Sequence, residues 1–280
     1  EWAGGLFEEQ DLDGRLSQGD VKYTAAIKKA MGIVDEEADF GGVELPQHDD
    51  AKPFLWAAGK REDDQYEEYA SHLSDSVPID GGVFTYVPTG TRFKGALTTK
   101  VKGDLGFTGT TDVFVCPPLA SPTAPVDTER IAAVLELKTT QSVASSLDAS
   151  KAQAVGELLA AATLSRIPVV SVLTDLGSTW HFWWLERGSC DDGAATALRL
   201  VHHHSVDQAH GYGLWRAFCA RFASVECADA LGSDSVGDGG TGGAGGGESG
   251  EGDGGPGGSG GDGGGKGAGP EGNGTDDGGG

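Results

Sequence analysis

Apolar and polar positions change period several times along the chain, and each change marks a predicted element. Residues 20–31 (DVKYTAAIKKAM) predict a helix. Residues 60–73 (KREDDQYEEYASHL) are heavily charged, yet Tyr66, Tyr69, Ala70 and Leu73 recur at helical spacing, which predicts an amphipathic helix. Val77-Pro78 and Asp80-Gly81-Gly82 break it. Strands are predicted at 83–87 (VFTYV) and 93–101 (FKGALTTKV). Two more follow at 112–116 (DVFVC) and 131–138 (IAAVLELK), whose nearly continuous apolar runs suit the middle of a sheet. Residues 148–164 (DASKAQAVGELLAAATL) predict a helix capped by Asp148 or Ser150 and stopped at Arg166-Ile167-Pro168. Residues 169–174 (VVSVLT) and 179–185 (TWHFWWL) form a hairpin around the turn Asp175-Leu176-Gly177-Ser178. A last helix is predicted over 207–226, with Leu214, Trp215, Phe218 and Phe222 on one face. The order predicts an α/β fold, a central mixed sheet flanked by helices, with no internal repeat.

Composition alters this picture at both ends. From Leu231 to Gly280 about half of the residues are Gly, and the last branched aliphatic side chain is Val236. Such a segment buries too little apolar surface to offset its ordering entropy, so a disordered Gly-rich acidic tail is expected over 229–280. Residues 1–58 are acidic and irregular apart from the first helix and read as an N-terminal extension, leaving 59–228 as the domain proper. The chain begins at Glu1 rather than Met, so it reads as a fragment or a processed product, and a missing targeting signal carries no information.

Charge and cysteines narrow the function classes. In the tail, ten acids stand against Lys266 alone, which accounts for −9 of the net −23 and leaves −14 for residues 1–228. That balance opposes extended nucleic acid binding, although Arg92, Lys94, Lys100 and Lys102 form a local basic strip. Cys116, Cys190, Cys219 and Cys227 include no C-x-x-C pair, so neither a disulfide framework nor a zinc site is expected. No stretch approaches a membrane span, and nothing points to a small-molecule cofactor.

The candidate chemistry sits on two neighbouring strands. In IAAVLELK, Glu136 and Lys138 share a face and Leu137 points the other way. A carboxylate and an ammonium ending an apolar strand are costly unless they pair or have a task. Asp112 opens the neighbouring strand after Gly109-Thr110-Thr111 and meets Glu136 if the two strands pair. Two converging carboxylates suit Mg²⁺ or Mn²⁺, and Lys138 suits stabilisation of developing negative charge. The bland reading stays open beside this one: Glu136 and Lys138 as the solvated end of a strand, Asp112 as a turn cap.

Asp112 followed by Glu136-Leu137-Lys138 resembles the D…(D/E)-x-K signature of the PD-(D/E)XK nuclease superfamily. The GTTD turn, the ELK strand, the helix carrying Gln153 and the VVSVLTDLGSTWHFWWLE hairpin resemble the nuclease-like domain of Crinkler-type effectors. The likeness covers roughly residues 60–190. It implies a restriction-endonuclease-like core and Mg²⁺-dependent hydrolysis of DNA phosphodiesters. Asp112, Glu136, Lys138 and Gln153 are its implied catalytic residues, with Asp112, Glu136 and Glu68 as metal ligands. Glu67 is the other candidate for the upstream acid, and Thr111 stands where the family has Pro. The resemblance also points to action in a nucleus. The alternative is an inactive descendant of the fold that binds a protein or nucleic acid; the sequence does not identify a protein partner.

Other motifs lead nowhere. Of the run His202, His203 and His204, only the first and last share a strand face; His210 is the one further candidate, and no second ligand pair has recognised spacing. Trp180, Trp183 and Trp184 read as core packing before base stacking. Gly257-Gly258-Ser259-Gly260-Gly261 matches G-x-S-x-G without a strand or helix around it. Lys138 and Asp175-Leu176-Gly177 are too close in sequence for a kinase, which also needs an H-R-D loop between them.

Overall fold

A computed structural model describes residues 13–15, 20–38, 46–79, 81–90, 92–102, 105–187, 198–205 and 207–232. In chain order the elements are β1 (Asp13–Arg15), α1 (Val21–Met31), β2 (Ile33–Glu37), α2 (Tyr66–Ser76), β3 (Thr85–Pro88), β4 (Thr99–Lys102), β5 (Leu105–Thr108), β6 (Val113–Cys116), β7 (Ala133–Leu137), α3 (Thr140–Leu164), β8 (Val170–Thr174), β9 (Trp180–Arg187), β10 (Leu198–Ser205) and α4 (Gln208–Gly232). Seven strands form a mixed sheet in the order β2-β10-β9-β8-β7-β6-β3, and β1, β5 and β4 form a smaller one. The α/β expectation holds, and the strands carrying Asp112 and Glu136 are antiparallel neighbours, Val113 opposite Leu135.

The sheet divides the core because its strands alternate. Phe114, Cys116, Val134, Leu173, Trp183 and Leu200 face one cluster with α1 and α3. Val113, Val115, Leu135, Leu137, Val172 and Phe182 face the other with α2 and α4. β7 and β8 are parallel, so α3 must cross over between them, and this fixes it against the first face. Ser171 Oγ donates to Ala154 O at 2.8 Å and pins that crossover. On the other face α4 comes close enough to leave no room for a Cβ: one at Gly211 would meet the Trp180 ring, and one at Gly213 the Pro46 backbone.

The structure departs from expectation in four places. Residues 93–97 are turns and not strand, because Gly95 takes φ +76° and Phe93 and Leu97 are buried four residues apart. Within residues 1–58, assigned to an N-terminal extension, the described α1 and β2 join the core and the sheet: α1 buries Tyr23 and Ile27, and β2 pairs in parallel with β10. That edge strand is almost wholly exposed and lacks the apolar signal that would reveal it. α3 begins earlier than expected, at a Thr139 cap that accepts from Ser142 N at 3.1 Å. Ser146, at φ −142° and ψ 34°, separates that first stretch from the expected helix. α4 runs to Gly232, past the expected start of the tail; the tail beyond it lies outside the described residues. No described helix is long and apolar enough to cross a membrane.

Candidate active site

The strand ends on the α3 side gather a carboxylate cluster. Glu136 is the last α3-facing residue of β7 and is 1 % exposed. Asp112 is held just ahead of β6: its N–H donates to Leu135 O at 3.2 Å, and its Oδ2 accepts from Leu137 N at 2.7 Å. The preceding turn is fixed by Thr111 Oγ1, which donates to Leu135 O at 2.7 Å. Lys138 continues the strand face, and its ammonium forms an ion pair with Glu136 Oε1. Asp112, Glu136 and Lys138 thus lie together, as strand alternation predicts.

Two further acids complete the cluster. Glu157 on α3 is 0 % exposed and points at Glu136. Its Oε1 accepts from Gln153 Nε2 at 3.0 Å, so Gln153 reaches the cluster only through Glu157. Glu62 lies on the 3-10 turn before α2; its Oε1 accepts from Thr139 N at 2.8 Å and its Oε2 lies 3.5 Å from Lys138 Nζ. From this part of the chain it is Glu62, and not Glu68, that reaches Lys138. Glu68 is 54 % exposed and pairs with Lys60 at 3.7 Å, and Glu67 is exposed beside Tyr66, so neither belongs to the site. A regular helix over 60–73 puts Glu67 and Glu68 forward, whereas the chain enters α2 through a 3-10 turn at Glu62–Gln65. The one sequence signal for Glu157 was its position a turn after Gln153.

Electrostatics follow from crowding. Burial lifts the Asp112 carboxyl well above its usual range, and neighbouring Glu136 adds to this against Lys138 and the Leu137 N–H. Burial followed by Glu157 lifts Glu136 in the same way. Burial pushes Glu157 up to about 7. Burial alone would lower Lys138, but Glu136 and Asp112 outweigh it and keep the ammonium charged. Glu136 and Glu157 are both acceptors when ionised, so their contact becomes a hydrogen bond only when one holds a proton. Glu157 Oε2 has no donor, and Glu136 Oε1 receives no well-aligned hydrogen bond.

Such orphaned buried oxygens fit an oxygen-seeking cation. Mg²⁺ is commonly held by one or two carboxylates with water and substrate oxygens, which Asp112 and Glu136 supply. No group of three or more His, Cys, Asp or Glu side chains among the described residues is arranged to hold a metal on its own. Beside the cluster opens a cleft of about 630 Å³ between residues 56–63 and the start of α3.

A second titratable group lies further along the same sheet face. His181 and Trp183 on β9 stack with His202 and His204 on β10. His181 Nδ1 and His202 Nε2 are 3.1 Å apart, and His202 Nδ1 is 3.3 Å from Glu37. His210 is elsewhere, 2.7 Å from Gln47 Nε2. Trp180 and Trp183 are buried and unable to stack on a base.

The fold and cluster define an α/β protein with crowded carboxylates and one lysine at the ends of adjacent strands. No family model matches the chain. It is similar to Crinkler effector protein 2 of Phytophthora infestans, 29% identical over 175 residues, covering 59% of this chain and 35% of that protein. The match thus spans about a third of the relative's length and supports a Crinkler-like relationship. No solved structure matches.

Proposed function

We propose that the chain carries a metal-dependent phosphodiester hydrolase site of the PD-(D/E)XK type acting on DNA, within an effector-like protein. The observation that supports this best is the convergence of Asp112, Glu136 and Lys138 on one sheet face, with buried carboxylate oxygens short of donors. Asp112 and Glu136 are the residues that would hold Mg²⁺ or Mn²⁺. Such an ion supplies charge stabilisation at the phosphoryl oxygens and acidifies water. Lys138 Nζ stays charged and stabilises negative charge developing on the phosphate. The Leu137 N–H fixes the Asp112 carboxylate, and Thr111 fixes the turn that delivers it. Burial and mutual proximity favour one proton held between Glu157 and Glu136, and a cation bound there would compete with it for their oxygens.

Plasmid cleavage with Mg²⁺ or Mn²⁺ tests the proposal. Wild type is expected to nick, and Glu136→Gln and Lys138→Ala to lose at least about 100-fold. Equal inertness of all three across metals and substrates would sink the hydrolase reading. One observation favours a second reading, a non-catalytic binding module: the Lys138 ammonium already sits on Glu136, where it neutralises a carboxylate without a metal.

A further inference from the structure

Resting on the hydrolase reading, we propose that the cleft beside the carboxylate cluster receives an unpaired DNA strand. One base stacks on Trp56, and the flanking phosphates meet Lys60 and Arg61. All three residues line the cleft. Trp56 is partly exposed but held in place: its Nε1 donates to Asp175 O at 2.8 Å, and its ring meets Phe54 edge-on at 4.9 Å. A fixed aromatic with an accessible side is a stacking platform for any base.

Lys60 and Arg61 are 53 % and 80 % exposed, and their partners Glu68 and Asp63 lie at 3.7 and 3.1 Å on the open surface. Exposed pairs of this kind contribute little, so a phosphate displaces them at small cost. Glu62 lines the same cleft and reaches Lys138 and Thr139 N, which places the cleft directly beside the cluster. A strand anchored on Trp56 is therefore led toward Asp112 and Glu136.

Two features select an unpaired strand. A cleft of about 630 Å³ has the size of a small-ligand pocket and not of a groove that accommodates a double helix. In a duplex the base faces are covered by their neighbours, which leaves Trp56 nothing to stack on. The net charge of −23 also disfavours a long backbone track, so recognition falls to a few contacts.

The test is fluorescence anisotropy of the full chain at low salt in EDTA, with a labelled short oligothymidylate and a labelled DNA hairpin. The oligothymidylate is expected to bind and the hairpin to bind at least about tenfold more weakly. Trp56→Ala should weaken strand binding by about tenfold or more. The double variant Lys60→Ala/Arg61→Ala changes only exposed side chains, so it tests the site even if the Trp56 variant misfolds. It should lower the slope of log affinity against log salt by about 1.4. Equal affinity for hairpin and strand, no strand binding by wild type, or an unchanged slope in the double variant would each overturn the proposal. With no metal present, the binding result is independent of cleavage. Strand binding without cleavage under any metal rejects the hydrolase reading alone. Cleavage that persists while both sets of substitutions leave binding untouched rejects the cleft alone.

Discussion

The sheet face beneath α3 holds two buried polar groups that answer to pH in opposite directions. At the β6–β7 end, Asp112, Glu136 and Glu157 are pushed toward their neutral, protonated forms. At the β9–β10 end, burial lowers His181 to about 2, with His204 and Lys151 adding to it, and lowers its half-buried neighbour His202 as well. Both respond to the same desolvation, which penalises whichever form is charged. The difference lies in what each region can do about it. The carboxylates converge on a lysine and leave oxygens short of donors, which a cation can use. The imidazoles pack ring on ring, with His181 and His204 4.1 Å apart and 5° from parallel, and the nitrogens that do meet, His181 Nδ1 and His202 Nε2 at 3.1 Å, occupy each other.

The largest effect expected comes from breaking the packed region. Trp183→Ala removes a buried wall of the histidine stack and should cost about 3–5 kcal/mol in denaturant unfolding. A loss below about 1 kcal/mol would show that the stack is peripheral to stability.

Next comes Glu157→Gln at alkaline pH. Because the folded Glu157 sits near 7 against an ordinary 4.5, its stabilisation is complete below 4.5 and is lost as pH rises through about 7. The substitution should leave stability little changed at pH 4.5 and raise it by up to about 3 kcal/mol at pH 8. Parallel pH–stability curves for the two proteins would refute the buried carboxyl pair.

Divalent metal sharpens the contrast further. Mg²⁺ or Mn²⁺ at about 100 times its dissociation constant should stabilise wild type by about 2.7 kcal/mol. The gain should be larger at pH 8 than at pH 5, since protons compete for the same oxygens, and absent in Glu136→Gln. A metal response that survives this substitution would move the cation elsewhere.

The smallest effect is on the acid side. The lowered His181 contributes stability that is complete above 6.5 and is lost as pH falls from there toward about 2. His181→Phe removes a buried nitrogen without a partner, Nε2, together with the bond to His202. A net gain of about 1 kcal/mol is expected at pH 5, with little change at pH 8. Thermal melts at the two pH values decide it, and a lower melting temperature at pH 5 would show that the imidazole pair outweighs its charge cost.

Much of the site was readable in advance for local reasons. Glu136 and Lys138 sit two apart on an apolar strand, and alternation alone puts them on one face. Asp112 opens the adjacent strand after small turn residues. What escaped prediction depended on irregular or distant chain. Glu62 sits on a 3-10 turn where helical spacing does not apply, so α-helical periodicity points to Glu68 instead. β2 is exposed along nearly its whole length, so no alternation betrayed it, and its place beside β10 comes from pairing and from Arg199, which bridges Glu36 and Glu186 at 2.8 and 2.9 Å.

By itself, then, the sequence determined the periods: which stretches are strands of a buried sheet, which are helices, and which carboxylates and lysine end up on a common face. Those follow from backbone geometry and the exclusion of water from apolar side chains. The tertiary structure alone decided the depth of each charge and its neighbours. It set Glu157 against Glu136, chose Glu62 over Glu68, turned a His-rich strand into a ring stack, and opened the cleft at Trp56. Burial and long-range proximity are properties of packed layers, and a titratable group's chemistry depends on them as much as on its own identity.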